Sequence, residues 1–600
     1  MKSLMNKAAS PFLIATKDDP TSSEIDEKDI KKIKKLGEGC FGVVYKGECY
    51  SLPVAIKFPH VQQLSKEELE DFRKEVHIMA TNPHPHIVQF MGACTIPGKF
   101  AIVMELLDGN LEELLFSEEG SKMRLFQRLV MAKEAALGMN RLHKTEPAII
   151  HRDFKLENLM YKRTDQTYIT KVADFGLAAI KPKAKKTIRA DPRGTPLTRA
   201  PEIMLGKPFN QKADVYSFGM TLWEIVTCKE LFPHHSDYDE FMEAICVKGE
   251  RPPIPGNCLP SLKALLEDLW DADPDRRPNF DEVNARLDEI LVEAAISDAK
   301  GREFWKKYFL RQHHVKWDEF VERFYAFIDQ DLPEDAGGPT ADTQILNLRC
   351  LKALVAVKRK ESDKGAGDVE IQHFGDVVAW FSGMRVVNHY TILDRMHNLL
   401  KNDWFHGDIS SSEAARRLQK GPGAFLVRFS QSTADYAGAF TVTRINEKGA
   451  TVNIRINQDK TGGFSVNRDS TYPDLEVLIQ DLKDTLFLKH ACKGSRFQRI
   501  FEGAHDDDFS GYEVLTEAED TSRGKGRQKI EKLEKENEVL GRRLQKEAER
   551  SAAEAPWDGR TIRRHSAGGP EDSMPSGLTP RSALLQGQTQ KQQQKSKRTS

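Results

Sequence analysis

At 600 residues the chain is too long for one hydrophobic core, since single cores rarely exceed roughly 250–300 residues, so several domains are expected. With 89 basic and 90 acidic residues the formal charge is -1, which excludes a global pull toward nucleic acid or an anionic membrane. Eight cysteines with no C-x-x-C pair give no metal-like spacing and fit reduced thiols in the cytoplasm, and no apolar run reaches the ~20 residues of a membrane span. Lys2 stands where N-myristoylation needs a glycine, and no signal-peptide core is present.

Residues 1–28 are polar and unpatterned and read as a mobile leader. Leu36, Gly37, Glu38, Gly39, Cys40, Phe41, Gly42, Val43 and Val44 then supply G-x-G-x-x-G-x-V between two alternating segments that suggest a hairpin. Glycines let a backbone close over phosphates without side-chain collision, although such loops recur in dinucleotide-binding folds and in plain turns. Just downstream Val54-Ala55-Ile56-Lys57 is an apolar strand ending in a lysine, which otherwise reads as a solvated edge residue. A lysine that pairs phosphates needs a carboxylate partner. Residues 65–80 read as an amphipathic helix that offers carboxylates, Glu75 ahead of Val76, Ile78 and Met79, and Glu67, Glu68 and Glu70 on the solvated face. The apolar run 101–107 contains Met104, Glu105 and Leu107, and suits core packing and the wall of an apolar cleft alike.

Residues 151–160 carry the densest signal. Asp153 and Asn158 stand five apart, so one carboxylate can accept a hydroxyl proton while an amide oxygen meets a metal ion beside it, as phosphoryl transfer requires. Lys171-Val172-Ala173-Asp174-Phe175-Gly176 follows, with Asp174 as a hard oxygen ligand suited to magnesium. Residues 177–199 contain no serine and no tyrosine, so phosphorylation there has to fall on Thr187, Thr195 or Thr198.

Taken together, these stretches closely resemble the eukaryotic protein kinases, whose catalytic loop is H-R-D-L-x-x-x-N; Phe154 takes the Leu position here. The resemblance spans residues 30 to about 292, and Asp214-Val215-Tyr216-Ser217-Phe218-Gly219 and Arg277-Pro278-Asn279-Phe280 bring it closest to the tyrosine-kinase-like group. It implies a bilobal fold that uses ATP and Mg2+. The glycine loop would cover the phosphates; Lys57, held by Glu75, would orient them; Ala55, Met104 at the gatekeeper position, and the backbone of Glu105 and Leu107 would face adenine. Asn158 and Asp174 would hold metal, and Asp153 would take the hydroxyl proton. Lys155, two after Asp153, matches the serine/threonine signature, with dual specificity left open; Thr198-Arg199 depart from the residues that usually precede Ala200, which leaves the substrate residue next to the acceptor unassigned. Thr187 is the preferred regulatory site, paired with Arg152, while Thr195 resembles the threonine that braces the catalytic Asp. Asp214 would anchor the catalytic loop, and Arg277 would pair with Glu202.

Residues 293–402 read as a helical connector, from Phe304, Trp305, Trp317, Phe320, Phe324 and Phe327 at helical spacings. Residues 403–492 resemble an SH2 domain, a central antiparallel sheet flanked by two helices. The matches are Trp404-Phe405-His406-Gly407, Phe425-Leu426-Val427-Arg428-Phe429-Ser430, Asn453-Ile454-Arg455-Ile456, and the helix start at 472–479. A permanently charged guanidinium inside an apolar strand calls for an anion, and its planar fork suits phosphate; an internal carboxylate is the alternative. The resemblance makes Arg428, Ser430 and Arg455 the phosphotyrosine contacts, with Ser411 where many SH2 domains have a second arginine. Residues 493–600 read as a low-complexity tail with a short helix over 526–550. There Ile530, Leu533, Asn537, Leu540 and Leu544 follow a 3,4,3,4 spacing that suits weak self-association or a solvated helix.

The order kinase, connector, SH2 resembles the amoebal SH2-containing serine/threonine kinases. The resemblance implies a multidomain α+β protein that phosphorylates protein substrates. Its SH2 domain would recruit it to phosphotyrosine-containing proteins, membrane-associated ones included. The alternative is a pseudokinase adaptor that only binds phosphotyrosine.

Overall fold

The computed structural model describes residues 24–39, 42–164, 167–180, 197–235, 237–328, 341–358, 367–387, 390–418, 421–429, 440–459, 463–466, 470–502 and 512–513. Cys40, Phe41, Thr187, Thr195, Ser430 and the helix expected over 526–550 lie outside the described residues. The described chain divides into two compact units, one through His313 and one from His314.

In the first unit, strands β1 (Ile30–Gly39), β2 (Gly42–Cys49), β3 (Leu52–Phe58), β4 (Phe90–Cys94) and β5 (Ala101–Glu105) form an antiparallel sheet ordered β1-β2-β3-β5-β4. Gly39 pairs with Gly42 where the expected hairpin turns. At Gly42 φ is 152°, and a Cβ would lie 2.1 Å from the carbonyl oxygen of Phe58, so only glycine fits there. Helix α1 (Lys66–Thr81) begins at Ser65, whose hydroxyl accepts from Glu68 N while the Glu68 carboxylate accepts from Ser65 N, a reciprocal cap. It buries Phe72, Glu75, Ile78 and Met79, whereas Glu67, Glu68 and Glu70 are exposed.

The expected leader extends too far. Ile25 is buried among Cys49, Val54, Ile56, Cys94, Ala101 and Val103, its N–H donates to Ala93 O at 2.8 Å, and the Glu24 carboxylate accepts from Thr95 N and Oγ1, both at 2.8 Å. One isoleucine in a polar run shows no periodicity, yet it closes the open side of the sheet.

Helix α2 (Leu125–His143) buries Phe126, Leu129, Ala132, Ala135, Ala136 and Met139. The hairpin β6 (Leu159–Arg163) and β7 (Tyr168–Val172) pairs Leu159 with Val172, which sets the 151–158 loop beside residues 173–176. Helix α3 (Lys212–Thr227) is buried from Ala213 through Ile225; α4 (Tyr238–Cys246) and α5 (Phe280–Ala295) follow. The unit continues past the expected boundary at 292. Helix α6 (Ala299–Phe309) buries Phe304, Trp305 and Phe309, and the ring of His313 meets Phe126 of α2 at 5.3 Å. The first aromatic residues assigned to the connector therefore pack in this unit.

The second unit opens with helices α7 (Trp317–Ile328), α8 (Ala341–Val355), α9 (Ile371–Trp380) and α10 (Ile392–Leu400), with Phe320, Phe324 and Phe374 in mutual ring contact. Short strands at His314–Lys316, Asp368–Glu370, Ala356–Lys358 and Tyr512–Glu513 form a four-stranded sheet that no sequence period announced. After α11 (Ser411–Arg417) come the antiparallel β8 (Ala424–Phe429), β9 (Phe440–Ile445) and β10 (Thr451–Gln458), and then α12 (Leu475–Asp481). Phe497 and Ile500, assigned to the tail, are buried here, with Phe497 stacked on Phe405 at 5.7 Å. Helices do occupy residues 293–402 as expected, and those of the second unit pack on residues 403–492. Trp380 lies flat on Phe429 at 3.8 Å and 10°, and Asn402 Nδ2 donates to Glu476 Oε1 at 2.6 Å.

Candidate functional site

Residues far apart in sequence meet around Lys57. Its position on β3, paired with Val44 of β2 and Ile102 of β5, fixes the backbone. Its ammonium donates to Glu75 Oε1 at 2.7 Å and to Asp174 Oδ1 at 2.8 Å, across separations of 18 and 117 positions. Burial would strip the charge from Lys57, but the two carboxylates outweigh that and raise its pKa. Burial likewise pushes Glu75 up despite its ion pair. At Asp174 desolvation also opposes ionisation, yet Lys57 and the Gly176 N–H hold the carboxyl at about 2. Both contacts to Asp174 fall on Oδ1, which leaves its other oxygen for a cation.

The 151–158 loop is pinned from beneath. Asp214, fully buried on α3, accepts from His151 N at 2.8 Å and Arg152 N at 2.9 Å, and His143 Nε2 lies 2.7 Å from its Oδ2. Burial opposes the Asp214 charge, but these donors more than offset it and keep the carboxyl below its ordinary value. His143 is a site-supporting residue the sequence reading missed, since a histidine at the end of a long helix carries no motif of its own. Arg152 and Asp174 both sit in the left-handed region, at φ of 68° and 60°, backbone strain of the kind found where a fold fixes functional groups.

Within the loop, Asn158 Nδ2 donates to Asp153 O at 2.7 Å and Asp153 Oδ2 at 3.0 Å, and Lys155 Nζ stands 3.4 Å from the same Oδ2. The amide nitrogen of Asn158 is thereby used, and its oxygen is left as the ligand atom. A carboxylate with a lysine and an oriented amide beside it can accept a proton while positive charge waits for a transferred anion.

Ala55 pairs with Met104 and Val54 with Glu105 on β5, and Leu107 is buried just beyond. The Glu105 side chain is occupied by Gln89 N at 2.7 Å and Lys171 at 2.8 Å, and its own N–H donates to Gln89 O at 3.0 Å. Leu36 and Glu38 are exposed, while Gly42, Val43 and Val44 lie on β2 next to β3. Arg277, buried, grips both oxygens of Glu202 at 2.7 and 3.0 Å, as expected.

In the second unit, Arg428, Thr441 and Arg455 pair in one row across β8, β9 and β10, so their side chains share a face of the sheet. Arg428 is buried, and its contacts are neutral oxygens: Thr443 Oγ1 at 3.3 Å, Ile409 O at 3.4 Å and Phe429 O at 3.2 Å. Among the described residues it forms no ion pair, so the internal Arg–carboxylate alternative has no partner there. Burial lowers its pKa, partly offset by the field of Asp408. Thr443 donates to Asn453 Oδ1 at 2.7 Å, and Asn453 Nδ2 donates to Ser411 Oγ at 3.0 Å. This chain of hydroxyls and an amide ties α11 to the sheet where a second arginine was expected to be missing. The sequence places Asn453 on a strand and gives it no further role.

Comparison with known proteins adds a separate line. Residues 30–287 match the family described as protein tyrosine and serine/threonine kinase, and residues 404–482 match the SH2 domain. The chain is 42% identical over 440 residues to the dual specificity protein kinase shkC of Dictyostelium discoideum, covering 72% of this chain and 85% of that one. It is 40% identical over 505 residues to shkA of the same organism, covering 82% and 92%. The serine/threonine-protein kinase CTR1 of Arabidopsis thaliana is 37% identical over 269 residues, 44% of this chain and 32% of that one.

Proposed function

This chain belongs to the protein kinases that carry an SH2 domain, the family of shkA and shkC, and we propose from that premise how its residues divide the work. It is a serine/threonine or dual-specificity protein kinase; the adaptor reading is not favoured. The family implies ATP and, typically, Mg2+. The donor set fits that pair: one free carboxylate oxygen on Asp174 and the amide oxygen of Asn158 are hard ligands, and Lys57 is a fixed cation for phosphate oxygens. When bound, Mg2+ would neutralise phosphate charge. Lys57, braced by Glu75, orients the nucleotide phosphates; Gly37, Gly39 and Gly42 let the backbone approach them; Ala55, Met104, Glu105 and Leu107 form the adenine wall. Asp153 takes the proton of the substrate hydroxyl, and Lys155 stands ready for the transferred phosphoryl group. Thr187 keeps its proposed regulatory role, and Thr195 its proposed role of bracing the catalytic Asp153.

The observation that supports this most is the ion-paired Lys57 joining Glu75 on α1 to Asp174 beyond β7, with Asp153 held by Asn158 in the neighbouring loop. Phosphoamino-acid analysis of the autophosphorylated chain tests it. Phosphoserine or phosphothreonine is expected, with any phosphotyrosine marking dual specificity; phosphotyrosine alone contradicts the role given to Lys155.

Residues 403–492 bind phosphotyrosine-containing proteins through Arg428, assisted by Arg455 and Ser430. That recruitment can bring the kinase to membrane-associated phosphoproteins, and no described helix is long and apolar enough to cross a membrane itself. A cytoplasmic kinase with weak self-association through 526–550 completes the proposal. Arg428→Ala should abolish capture on a phosphotyrosine peptide; undiminished capture removes the pocket.

A further inference from the structure

Among the described residues, one cluster outside these sites gathers metal-ligating atoms: His234, His235 and Glu250, whose ligand atoms all lie within 4.8 Å of one another. His234 Nε2 stands 2.9 Å from Glu250 Oε1, and His235 Nε2 stands 3.3 Å from Oε1 and 3.2 Å from Oε2. Ligands on one tetrahedral zinc ion, with bonds of ~2.0–2.1 Å, are separated by roughly 3.3–3.4 Å. The two histidine–carboxylate spacings lie within about half an ångström of that edge, and the two imidazole nitrogens lie within 4.8 Å of each other.

The three side chains come from two segments that flank α4, and both segments are anchored. Phe232 takes the left-handed conformation at φ 48° and closes a turn in which His235 N donates to Phe232 O at 3.1 Å. The Phe232 ring packs on Phe241 of α4 at 5.4 Å, and His235 meets the same ring at 6.0 Å. On the other side, Glu250 N donates to Ala244 O at 2.9 Å, while Arg251 Nη1 donates to Glu250 O at 2.7 Å. Little rearrangement is needed to bring the ligands onto an ion. The His235 side chain is only 13% exposed, whereas His234 is 61% exposed and opens the cluster to solvent.

The chemistry of the donors selects the ion. Two imidazole nitrogens and one carboxylate suit zinc and its transition-metal neighbours, whereas Mg2+ and Ca2+ favour oxygen ligands throughout. Three protein ligands leave a coordination position for water or an outside donor, as in open zinc sites. We propose that His234, His235 and Glu250 form a three-ligand site for a zinc-class divalent cation, which fastens the turn before α4 to the segment after it. The proposal does not rest on the kinase reading, because none of these residues takes part in the transfer site.

Zinc titration of the chelator-stripped full chain by calorimetry tests it, with Co2+ as a spectroscopic probe of coordination. Wild type should bind one equivalent more than His234→Asn, or bind that equivalent more than about tenfold tighter, the lower bound for losses at supporting residues. His235→Asn and Glu250→Gln should do the same, and each variant should lose the visible bands of four-coordinate Co2+. His234→Asn is the decisive variant, since its exposure leaves folding intact, which a circular dichroism spectrum checks. No uptake by wild type, or uptake by His234→Asn within tenfold of wild type at equal stoichiometry, overturns the site.

Discussion

Lys57 shows how one side chain can serve both fold and chemistry. Its ammonium is almost fully buried between Glu75 and Asp174. Removing one partner of a buried pair strands the other charge, a loss of about 3–5 kcal/mol, whereas a well-packed apolar replacement of both is often neutral. Lys57→Met should therefore lower stability to chemical denaturant by about that amount, and Lys57→Met with Glu75→Leu should recover part of it, Asp174 still lacking its cation, without recovering phosphate transfer. A second residue gives a pH signature. Glu134 on α2 accepts from Thr170 N at 2.7 Å, and burial raises its carboxyl to about 7, against the pull of that hydrogen bond and of Lys171. A folded-state pKa raised from the ordinary 4.5 means the native chain binds more protons between pH 4.5 and 7, so this group's contribution falls as pH rises through that window. Glu134→Gln should flatten the pH dependence of melting temperature there and raise stability above pH 7. Neither His143 beneath Asp214 nor Glu134 was visible in the sequence, because each acts through a backbone or carboxylate contact that only the fold creates.

Elements were legible where local chemistry and burial agreed. Helix α1 was expected over 65–80 and runs over Lys66–Thr81, since Ser65 and Glu68 form a start signal and Phe72, Glu75, Ile78 and Met79 share its buried face. The N-terminal edge was not legible. Ile25 contributes through packing on buried sheet residues from Cys49 to Val103, and no window of the leader contains those partners. Burying a side chain that completely makes truncation expensive: Ile25→Ala should cost about 2–5 kcal/mol in a denaturant melt of the first unit. A cost near zero would show that residues 24–29 do not close the sheet. The three-residue strands of the second unit escaped notice because a period of two cannot be read from three positions.

At the scale of the molecule, motif spacing foretold the family and its two recognisable domains, and it left open how the helices between them pack. Aromatic periodicity correctly indicated helices after 293, but periodicity says nothing about which neighbour a helix packs on. Phe304, Trp305 and Phe309 belong with the first unit, while Trp380 stacks on Phe429 within the second. Residues 314–502 should accordingly unfold as one cooperative transition, at higher denaturant than residues 403–492 alone, and Trp380→Ala should narrow that gap. Equal midpoints would make the helices a passive spacer. The larger claim is that carboxylates, lysines and an amide drawn from Lys57 to Asp174 work as one transfer site, with Asp153 receiving the proton. The most direct measurement is incorporation of labelled phosphate from ATP and Mg2+ by the full chain and by Asp153→Asn. Loss of a positioned general base predicts a fall of about 10²–10⁴-fold for the variant, with folding unchanged; equal incorporation by the two proteins would contradict the account.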